Sequence, residues 1–125
     1  MIFDTDILIW AQRGHEKAAK WVDEAVDRSI SIQTYMELFQ GARSKSEHQV
    51  IRDLLRDFDF KILPFSENIG HRAAVYIEQY ALQSGLRAGD AIIAATAMEN
   101  NLVLASANAK HYKVIVDLQL KVFKP

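Results

Sequence analysis

The sequence predicts an α/β fold, a parallel sheet of four to five strands with helices on both faces. Short apolar runs that suit strands alternate with longer segments in which apolar residues recur at helical spacing. One helical segment, residues 88–98, is apolar on every side except for Asp90, so it must be buried. This alternation is typical of parallel sheets whose two faces are covered by helices.

Four short apolar runs are predicted as strands, and a fifth run near the end of the chain is a candidate. The first run starts at Met1 and is too brief to form a helix by itself. Pro64 stops the third run because proline cannot donate to a strand ladder. The predicted strands are residues 1–4, 30–33, 60–63 and 102–105, with residues 122–123 as the candidate fifth.

Between these runs the apolar spacing predicts helices over residues 15–28, 35–41, 50–58, 66–84 and 88–98. We expect Thr34 to cap the helix that begins at Tyr35, with Glu37 as its capping-box partner. Gly41 and Gly85 are expected to end their helices.

Length and composition predict one domain spanning residues 1–125 of a cytoplasmic protein. Half of the residues are apolar and a quarter are charged, which is ordinary for a globular chain. The absence of cysteine excludes disulfides, iron–sulfur clusters and thiolate zinc sites. No stretch approaches the roughly 18 apolar residues of a membrane span, and no signal peptide is visible. A net charge of −1 gives no general attraction to nucleic acid.

Three acidic residues are candidates for a shared site. Asp4 ends the first predicted strand, Glu37 lies one helical turn after the second, and Asp90 is the only charge in a buried helix. Functional groups of parallel sheets gather beyond the carboxyl ends of the strands. A buried carboxylate must take up a proton or bind a cation, and oxygen ligands suit Mg²⁺ or Mn²⁺.

Each of these acids also has a purely structural interpretation. Asp4 and Asp90 are residues that commonly cap helices, and Glu37 could act only in the capping box of Thr34. Asp6 could face the same pocket or simply favour a helix N-terminus. Convergence of the three carboxylates by accident is less expected than any one of these roles alone.

Four segments in order resemble the motifs of the PIN domain family. A free-standing domain of this size is most similar, within that family, to the VapC toxins of toxin–antitoxin pairs. The resemblance covers essentially the whole chain, and its specificity comes from the order of the motifs. The segments are IFDTDILIW (residues 2–10), TYMELFQG (34–41), GDAIIAA (89–95) and LASANAKHY (104–112).

The resemblance implies a Mg²⁺-dependent endoribonuclease, with Mn²⁺ as the alternative ion, that forms a homodimer and is inhibited by a VapB-type antitoxin. Asp4, Glu37 and Asp90 match the acidic positions that carry catalysis and metal binding in the family. Asn108 stands at the fourth acidic position and adds no charge. The resemblance therefore leaves open whether the site binds one metal ion or two.

Further side chains are expected to have supporting roles. Thr5, Asp6, Ser106 and Asn108 are expected to orient the metal ligands or the substrate, Ser106 and Asn108 through hydrogen bonds. The candidate phosphate contacts are Arg87, Lys110 and Lys113. Partly exposed aromatic rings at Trp21, Tyr35 and Phe58 are expected to line a groove for an amphipathic antitoxin helix.

Two other functions remain open at this point. A PIN-like module could bind RNA or protein without cutting, since the fourth acid is missing. An apolar strand that ends in Asp4-Thr5-Asp6 also resembles the opening of haloacid dehalogenase-type phosphatases, in which the first Asp is the nucleophile. That motif normally continues with Gly-Thr, whereas Ile7 and Leu8 follow here. Metal-dependent cleavage of RNA distinguishes the first alternative from the nuclease.

Overall fold

The structure, a computed structural model, describes residues 1–125 as five short strands and seven helices. The strands are β1 (Ile2–Phe3), β2 (Ser29–Ser31), β3 (Lys61–Leu63), β4 (Leu104–Ser106) and β5 (Leu120–Val122). The helices are α1 (Thr5–Gln12), α2 (Glu16–Glu24), α3 (Ile32–Gly41), α4 (Lys45–Asp57), α5 (Glu67–Ser84), α6 (Ala88–Glu99) and α7 (Ala109–Tyr112).

All strand pairs are parallel, and the strand order is β3-β2-β1-β4-β5. The chain moves from β1 outward to β3 and then returns to the other side of β1 with β4. The order therefore reverses between β1 and β4, where Ile2 pairs with Leu104 and Phe3 with Ala105. Ligands of open parallel sheets bind at such a switch point, beyond the carboxyl ends of the strands.

Helices cover both faces of the sheet because successive strand residues point to opposite sides. Ile2 and Leu104 belong to a cluster of 15 buried residues formed mainly with α5 and α6. Phe3 and Ala105 belong to a second cluster of 11 buried residues with α1, α2 and α4. The predicted α/β class with helices on both faces is thus confirmed, and the candidate fifth strand exists.

Helix α3 begins earlier than predicted, and the predicted capping box is wrong. Ser31, the last residue of β2, caps the helix by accepting a hydrogen bond from the Gln33 N–H at 2.8 Å. Ser31 takes this role because its extended backbone leads directly from the strand into the helix. Thr34 and Glu37 consequently lie inside α3, where their side chains are free for other contacts.

The remaining differences concern short or polar segments. Helix α4 begins at Lys45 after the cap Ser44, five residues before the apolar pattern starts. The predicted helices did not include α7, a helix of four residues, or α1, which was considered only as a helix that Asp4 could cap. Gly85 ends α5 with a left-handed backbone at φ 75°, as expected of a C-terminal glycine. No helix of the structure combines the length and apolar character needed to cross a membrane.

Candidate active site

An acidic hollow of about 320 Å³ lies beyond the carboxyl ends of β1 and β4. Strand β1 delivers Asp4, α1 carries Thr5 and Asp6, α3 carries Glu37, and α6 carries Asp90. The lining residues are Asp4, Thr5, Asp6, Ile9, Glu37, Asp90 and Asn108. The structure therefore brings the three predicted acids together, with Asp6 and Asn108 beside them.

Asp4 is the most buried of these acids, with 6% of its surface exposed. One carboxylate oxygen caps α1 by accepting the Thr5 N–H at 2.8 Å, and the other accepts the Ser106 hydroxyl at 2.6 Å. Burial, with the charges of Asp6 and Asp90, raises the pKa of Asp4 from 3.8 to about 7, although these two hydrogen bonds act to lower it. The capping role proposed from the sequence is real, and it coexists with a place in the hollow.

Asp6 lies in the first turn of α1 and faces the same hollow. Burial raises its pKa, and the charges of Asp90 and Glu37 add to the rise. Its carboxylate accepts the Ile7 N–H at 2.9 Å. Asp6 thus contributes negative charge to the hollow as well as a favourable interaction with the helix N-terminus.

Glu37 reaches the hollow from α3 and is held there by Thr5. The Thr5 hydroxyl donates to Glu37 Oε1 at 2.6 Å, and Thr34 Oγ1 lies 3.0 Å from Thr5 Oγ1. Thr34 is fully buried, so this small network joins α1 to α3 inside the protein. Thr5 therefore orients the Glu37 carboxylate, and its part in metal or substrate binding stays a prediction.

Asp90 lies in the first turn of α6 and makes three contacts with neighbouring groups. Its Oδ2 accepts the Arg87 N–H at 3.1 Å, so Asp90 satisfies a free donor at the start of α6. His111 Nδ1 lies 3.0 Å from the same oxygen, and the Tyr112 hydroxyl lies 3.4 Å from Oδ1. Burial and the nearby carboxylates raise the pKa of Tyr112, so its hydroxyl remains a donor.

Ser106 and Asn108 connect the end of β4 to these acids. Ser106 donates to Asp4 and accepts the Asn108 N–H at 2.9 Å, which fixes the turn after the strand. The Asn108 amide nitrogen lies 2.8 Å from His111 Nδ1. Asn108 therefore stands at the edge of the hollow as a neutral group among charged ones.

The three basic candidates lie outside the hollow. Arg87, Lys110 and Lys113 are all exposed, and none of them lines it. Arg87 is nevertheless close in the chain, since it directly precedes α6 and is three residues before Asp90. Phosphate contact by these side chains stays a prediction.

Sequence reasoning did not assign His111, Tyr112 or Thr34 to the site. The structure places His111 and Tyr112 against Asp90, and Thr34 against Thr5. The available signal for the first two was their position just after β4, the strand at which the sheet order reverses. Thr34 carried no such signal because a helix cap explained it equally well.

The aromatic residues expected to line a groove are all partly buried and pack against the second core cluster. The Trp21 ring packs edge-on against Phe123 with centroids 4.9 Å apart, and Lys121 Nζ lies 4.7 Å from its centroid. Arg28 lies over Phe58 at 5.2 Å. These rings keep only part of their surface exposed, and the groove for an antitoxin helix stays a prediction.

The charges of the hollow fit a hard divalent cation. Asp4, Asp6, Glu37 and Asp90 line it, and none of them pairs with Lys or Arg. No three His, Asp or Glu side chains of the structure converge closely enough to form a metal site by themselves. The donors are nevertheless mostly carboxylate and amide oxygens, and Mg²⁺ typically binds through one or two carboxylates while it keeps several waters.

Comparison with known proteins places this geometry in a family. The model of the PIN domain family matches residues 1–116. The chain belongs to the PIN domain family. It is 31% identical over 123 residues to Ribonuclease VapC10 of Mycobacterium tuberculosis, an alignment that covers 95% of this chain and 90% of the relative. The resemblance drawn from the four sequence motifs is thereby confirmed.

Solved structures of other proteins agree with the fold. A toxin–antitoxin complex from Klebsiella pneumoniae matches with a TM-score of 0.79 and 31% identity, over 97% of this chain and 95% of that one. VapBC2 from Rickettsia felis, solved bound to a DNA fragment from its promoter, matches with a TM-score of 0.76 and 25% identity. That alignment covers 99% of this PIN domain and 100% of the Rickettsia chain.

Proposed function

We propose that residues 1–125 form a Mg²⁺-dependent endoribonuclease that hydrolyses RNA phosphodiester bonds as the toxin of a VapBC-type toxin–antitoxin pair. The observation that carries the proposal is the acidic hollow, in which four carboxylates lie together without a Lys or Arg partner. The similarity to a VapC ribonuclease and to toxin–antitoxin complexes supports the same activity. RNA as the substrate agrees with the predicted cytoplasmic location.

Asp4 and Asp90 are the proposed direct metal ligands because both carboxylates line the hollow, Asp4 directly after β1 at the switch point and Asp90 in the first turn of α6. A bound ion would activate water, neutralise charge on the scissile phosphate and stabilise the leaving oxygen. Glu37 serves either as a third ligand or as the group that holds the attacking water. Thr5 keeps Glu37 oriented through its 2.6 Å hydrogen bond.

The remaining polar groups keep these carboxylates in place. Ser106 restrains Asp4, and His111 restrains Asp90 while contacting Asn108. Asp6 adds charge to the hollow, and Asn108 offers a neutral oxygen or a donor to the substrate. Mn²⁺ is the alternative ion because it accepts the same oxygen ligands.

RNA would approach the hollow as a polyanion and requires positive charge around it. Arg87 directly precedes α6, the helix that carries Asp90. Lys110 lies in α7, which follows Asn108, and Lys113 comes directly after α7. All three side chains are exposed. We propose that they contact phosphates beside the scissile one. Neutralising each should weaken RNA binding and leave metal binding unchanged.

The antitoxin is the proposed protein partner. No Lys or Arg of this chain pairs with the carboxylates of the acidic hollow. An Arg or Lys of a VapB-type antitoxin could therefore pair with Asp4, Glu37 or Asp90 in place of the metal. Solved relatives of this fold are toxin–antitoxin complexes. Met36, which directly precedes Glu37 on α3, is 52% exposed and offers an apolar side chain to such a partner.

A homodimer is proposed from the surface of α5 and α6. An apolar hollow of about 390 Å³ lies between these helices, lined on one side by Phe65, which is 54% exposed. Ile77 of α5 and Ile92 of α6 also line it, with alanines between them. A second copy of the same face would bury this surface.

The alternative is a PIN domain that binds RNA without cleaving it, and the observation that favours it is Asn108. A neutral residue at the fourth acidic position lowers the charge available to hold metal. The three acids Asp4, Glu37 and Asp90 favour cleavage instead.

Cleavage of a structured RNA, followed in Mg²⁺, Mn²⁺ and EDTA, tests the proposal. We expect cleavage with either ion and none in EDTA. Asp90→Asn should lower the rate by at least about 100-fold, since even changes beside a ligand cost about 10–100-fold. Asp117→Asn is the matched control because Asp117 is exposed and unpaired. Cleavage that persists in EDTA would overturn the proposal, and binding without cleavage would support the alternative.

A further inference from the structure

Gly89 is a glycine in a position where neither backbone conformation nor helix stability requires one. It is the second residue of α6, directly before Asp90. The glycines with positive φ in this chain are Gly14 and Gly85, so Gly89 has ordinary helical geometry. Glycine inside a helix lowers its stability relative to alanine. The reason for a glycine here must therefore be sought in the surrounding space.

The space beside Gly89 is occupied by two side chains of α3. A Cβ atom at this position would lie 3.0 Å from Glu37 Oε2 and 3.1 Å from Gln33 Nε2. Real Cβ atoms essentially never approach other atoms more closely than 3.0 Å, and 3.0–3.4 Å is already unusually tight. Glu37 and Gln33 thus lie directly across the bare backbone of α6.

The other oxygen of Glu37 is held by a side chain of α1. Oε1 accepts the Thr5 hydroxyl at 2.6 Å, and Thr5 is itself in contact with Thr34 at 3.0 Å. The Glu37 carboxylate is therefore confined between a hydroxyl donor of α1 and the backbone of α6. We infer that Gly89 is a positioning residue for Glu37, whose missing side chain lets the carboxylate lie beside the helix that carries Asp90. The consequence for metal binding rests on the proposed function, whereas the contact itself does not.

A methyl group at position 89 would move the Glu37 carboxylate and leave the backbone fold unchanged. Both atoms that it meets are the ends of flexible side chains, which can move by a few tenths of an ångström without shifting the backbone. Glu37 would then have to rotate away from the backbone of α6 or lengthen its hydrogen bond to Thr5. Gly89→Ala is thus expected to fold and to displace one carboxylate.

A double-mutant cycle on unfolding in EDTA tests the contact without metal. Gly89→Ala is introduced into the wild type and into Glu37→Ala, and the effect on the unfolding equilibrium constant is compared. The gain in helix propensity is the same in both backgrounds and cancels. We expect Gly89→Ala to be more stabilising in Glu37→Ala, by at least about threefold in the equilibrium constant. Equal effects in the two backgrounds would overturn the inference.

Calorimetric titration with Mn²⁺ tests the consequence. Gly89→Ala should weaken Mn²⁺ binding by about 10–100-fold, as changes beside metal ligands do. Gly41→Ala is the matched control, because Gly41 is also helical and no atom lies within 4 Å of its added Cβ. If the wild type and Gly41→Ala bind Mn²⁺ while Gly89→Ala binds equally well, Gly89 does not position the metal site. If the wild type itself does not bind, the proposed function fails and the cycle alone decides the contact.

Discussion

The carboxylate of Asp4 is buried against β4 with one oxygen on the Thr5 N–H and the other on the Ser106 hydroxyl. Two hydrogen bonds would normally keep a carboxylate ionised. Burial and the charges of Asp6 and Asp90 outweigh them, and the pKa rises to about 7. The two hydrogen bonds thus hold Asp4 at the hollow in surroundings that disfavour its charged form.

Asp4 makes the stability of the metal-free protein depend on pH. The folded state keeps the Asp4 proton up to about pH 7, whereas the unfolded chain releases it near pH 3.8. The folded state therefore binds more protons between these values, and the free energy of unfolding should fall as pH rises through this window. The rise in pKa corresponds to at most roughly 4 kcal/mol. Urea unfolding in EDTA at pH 5 and pH 8 measures the loss.

Asp4→Asn should reduce this pH dependence, with a remainder from Asp6, whose pKa burial also raises, and Asp117→Asn should not change it. With metal present, the free energy of unfolding should instead rise with pH. The ion replaces the proton on Asp4, so it binds more tightly as pH rises through about 7. A wild-type protein that is as stable at pH 8 as at pH 5 without metal would show that Asp4 ionises freely.

Asn108 offers a second prediction at the scale of one residue. Asn108→Asp adds a carboxylate to a hollow that already holds four, so the metal-free protein should lose stability and the metal should bind more tightly. At an effective dielectric constant near 20 one additional charge is worth a few kcal/mol, partly offset by repulsion. We expect about tenfold tighter Mg²⁺ binding by calorimetry. Asn68→Asp, at an exposed position of α5, is the control. Unchanged affinity would place Asn108 outside the metal site.

Among the helices, α3 starts directly after β2 and carries Glu37 into the acidic hollow. The position of Glu37 therefore depends on how well the first turn of α3 is formed. Its first turn depends on the Ser31 hydroxyl, which accepts the Gln33 N–H at 2.8 Å. Ser44 caps α4 in the same way by accepting the Glu47 N–H at 3.1 Å. Helix α4 contributes no residue to the acidic hollow, so these two caps form a matched pair.

Replacing either cap with alanine should lower the free energy of unfolding by about 1 kcal/mol. Only Ser31→Ala should also weaken Mg²⁺ binding, because a frayed α3 lets Glu37 move relative to Asp90. Chemical denaturation and calorimetric titration of both variants measure the two effects. Equal metal affinity in Ser31→Ala and Ser44→Ala would mean that the Thr5 hydrogen bond alone keeps Glu37 in place.

At the same scale, the predictions succeeded where one physical signal dominated. The wholly apolar surroundings of Asp90 required a buried helix, and α6 spans Ala88–Glu99. The predictions failed where two polar residues competed for one role, as Ser31 and Thr34 did for the cap of α3. Contacts between distant segments, such as His111 with Asp90 or Glu37 with Gly89, depend on how helices pack across the sheet. Periodicity within one segment carries no information about such contacts.

Across the whole molecule, the acidic hollow lies where the two helical layers meet. Glu37 belongs to α3, whose buried Leu38 packs in the cluster on one face, and Asp90 belongs to α6 on the other face. Asp4 and Ser106 come from the two strands between which the order reverses. The carboxylates therefore converge only when both layers are assembled on the sheet, and a cation bound there would favour the fully folded state.

The opposite side of the α5–α6 layer presents the exposed apolar hollow lined by Phe65, and it should carry the homodimer. Phe65→Glu places a charge on this surface and should shift the chain toward the monomer by at least about tenfold in the dissociation constant, measured by light scattering across a concentration series. Leu82→Glu is the control, since Leu82 is fully exposed on α5 and does not line the hollow. Because Phe65 is 54% exposed, its replacement should leave the fold and Mg²⁺ binding intact. Dissociation by Leu82→Glu but not by Phe65→Glu would move the interface to another face, and a wild-type monomer at all concentrations would exclude the dimer.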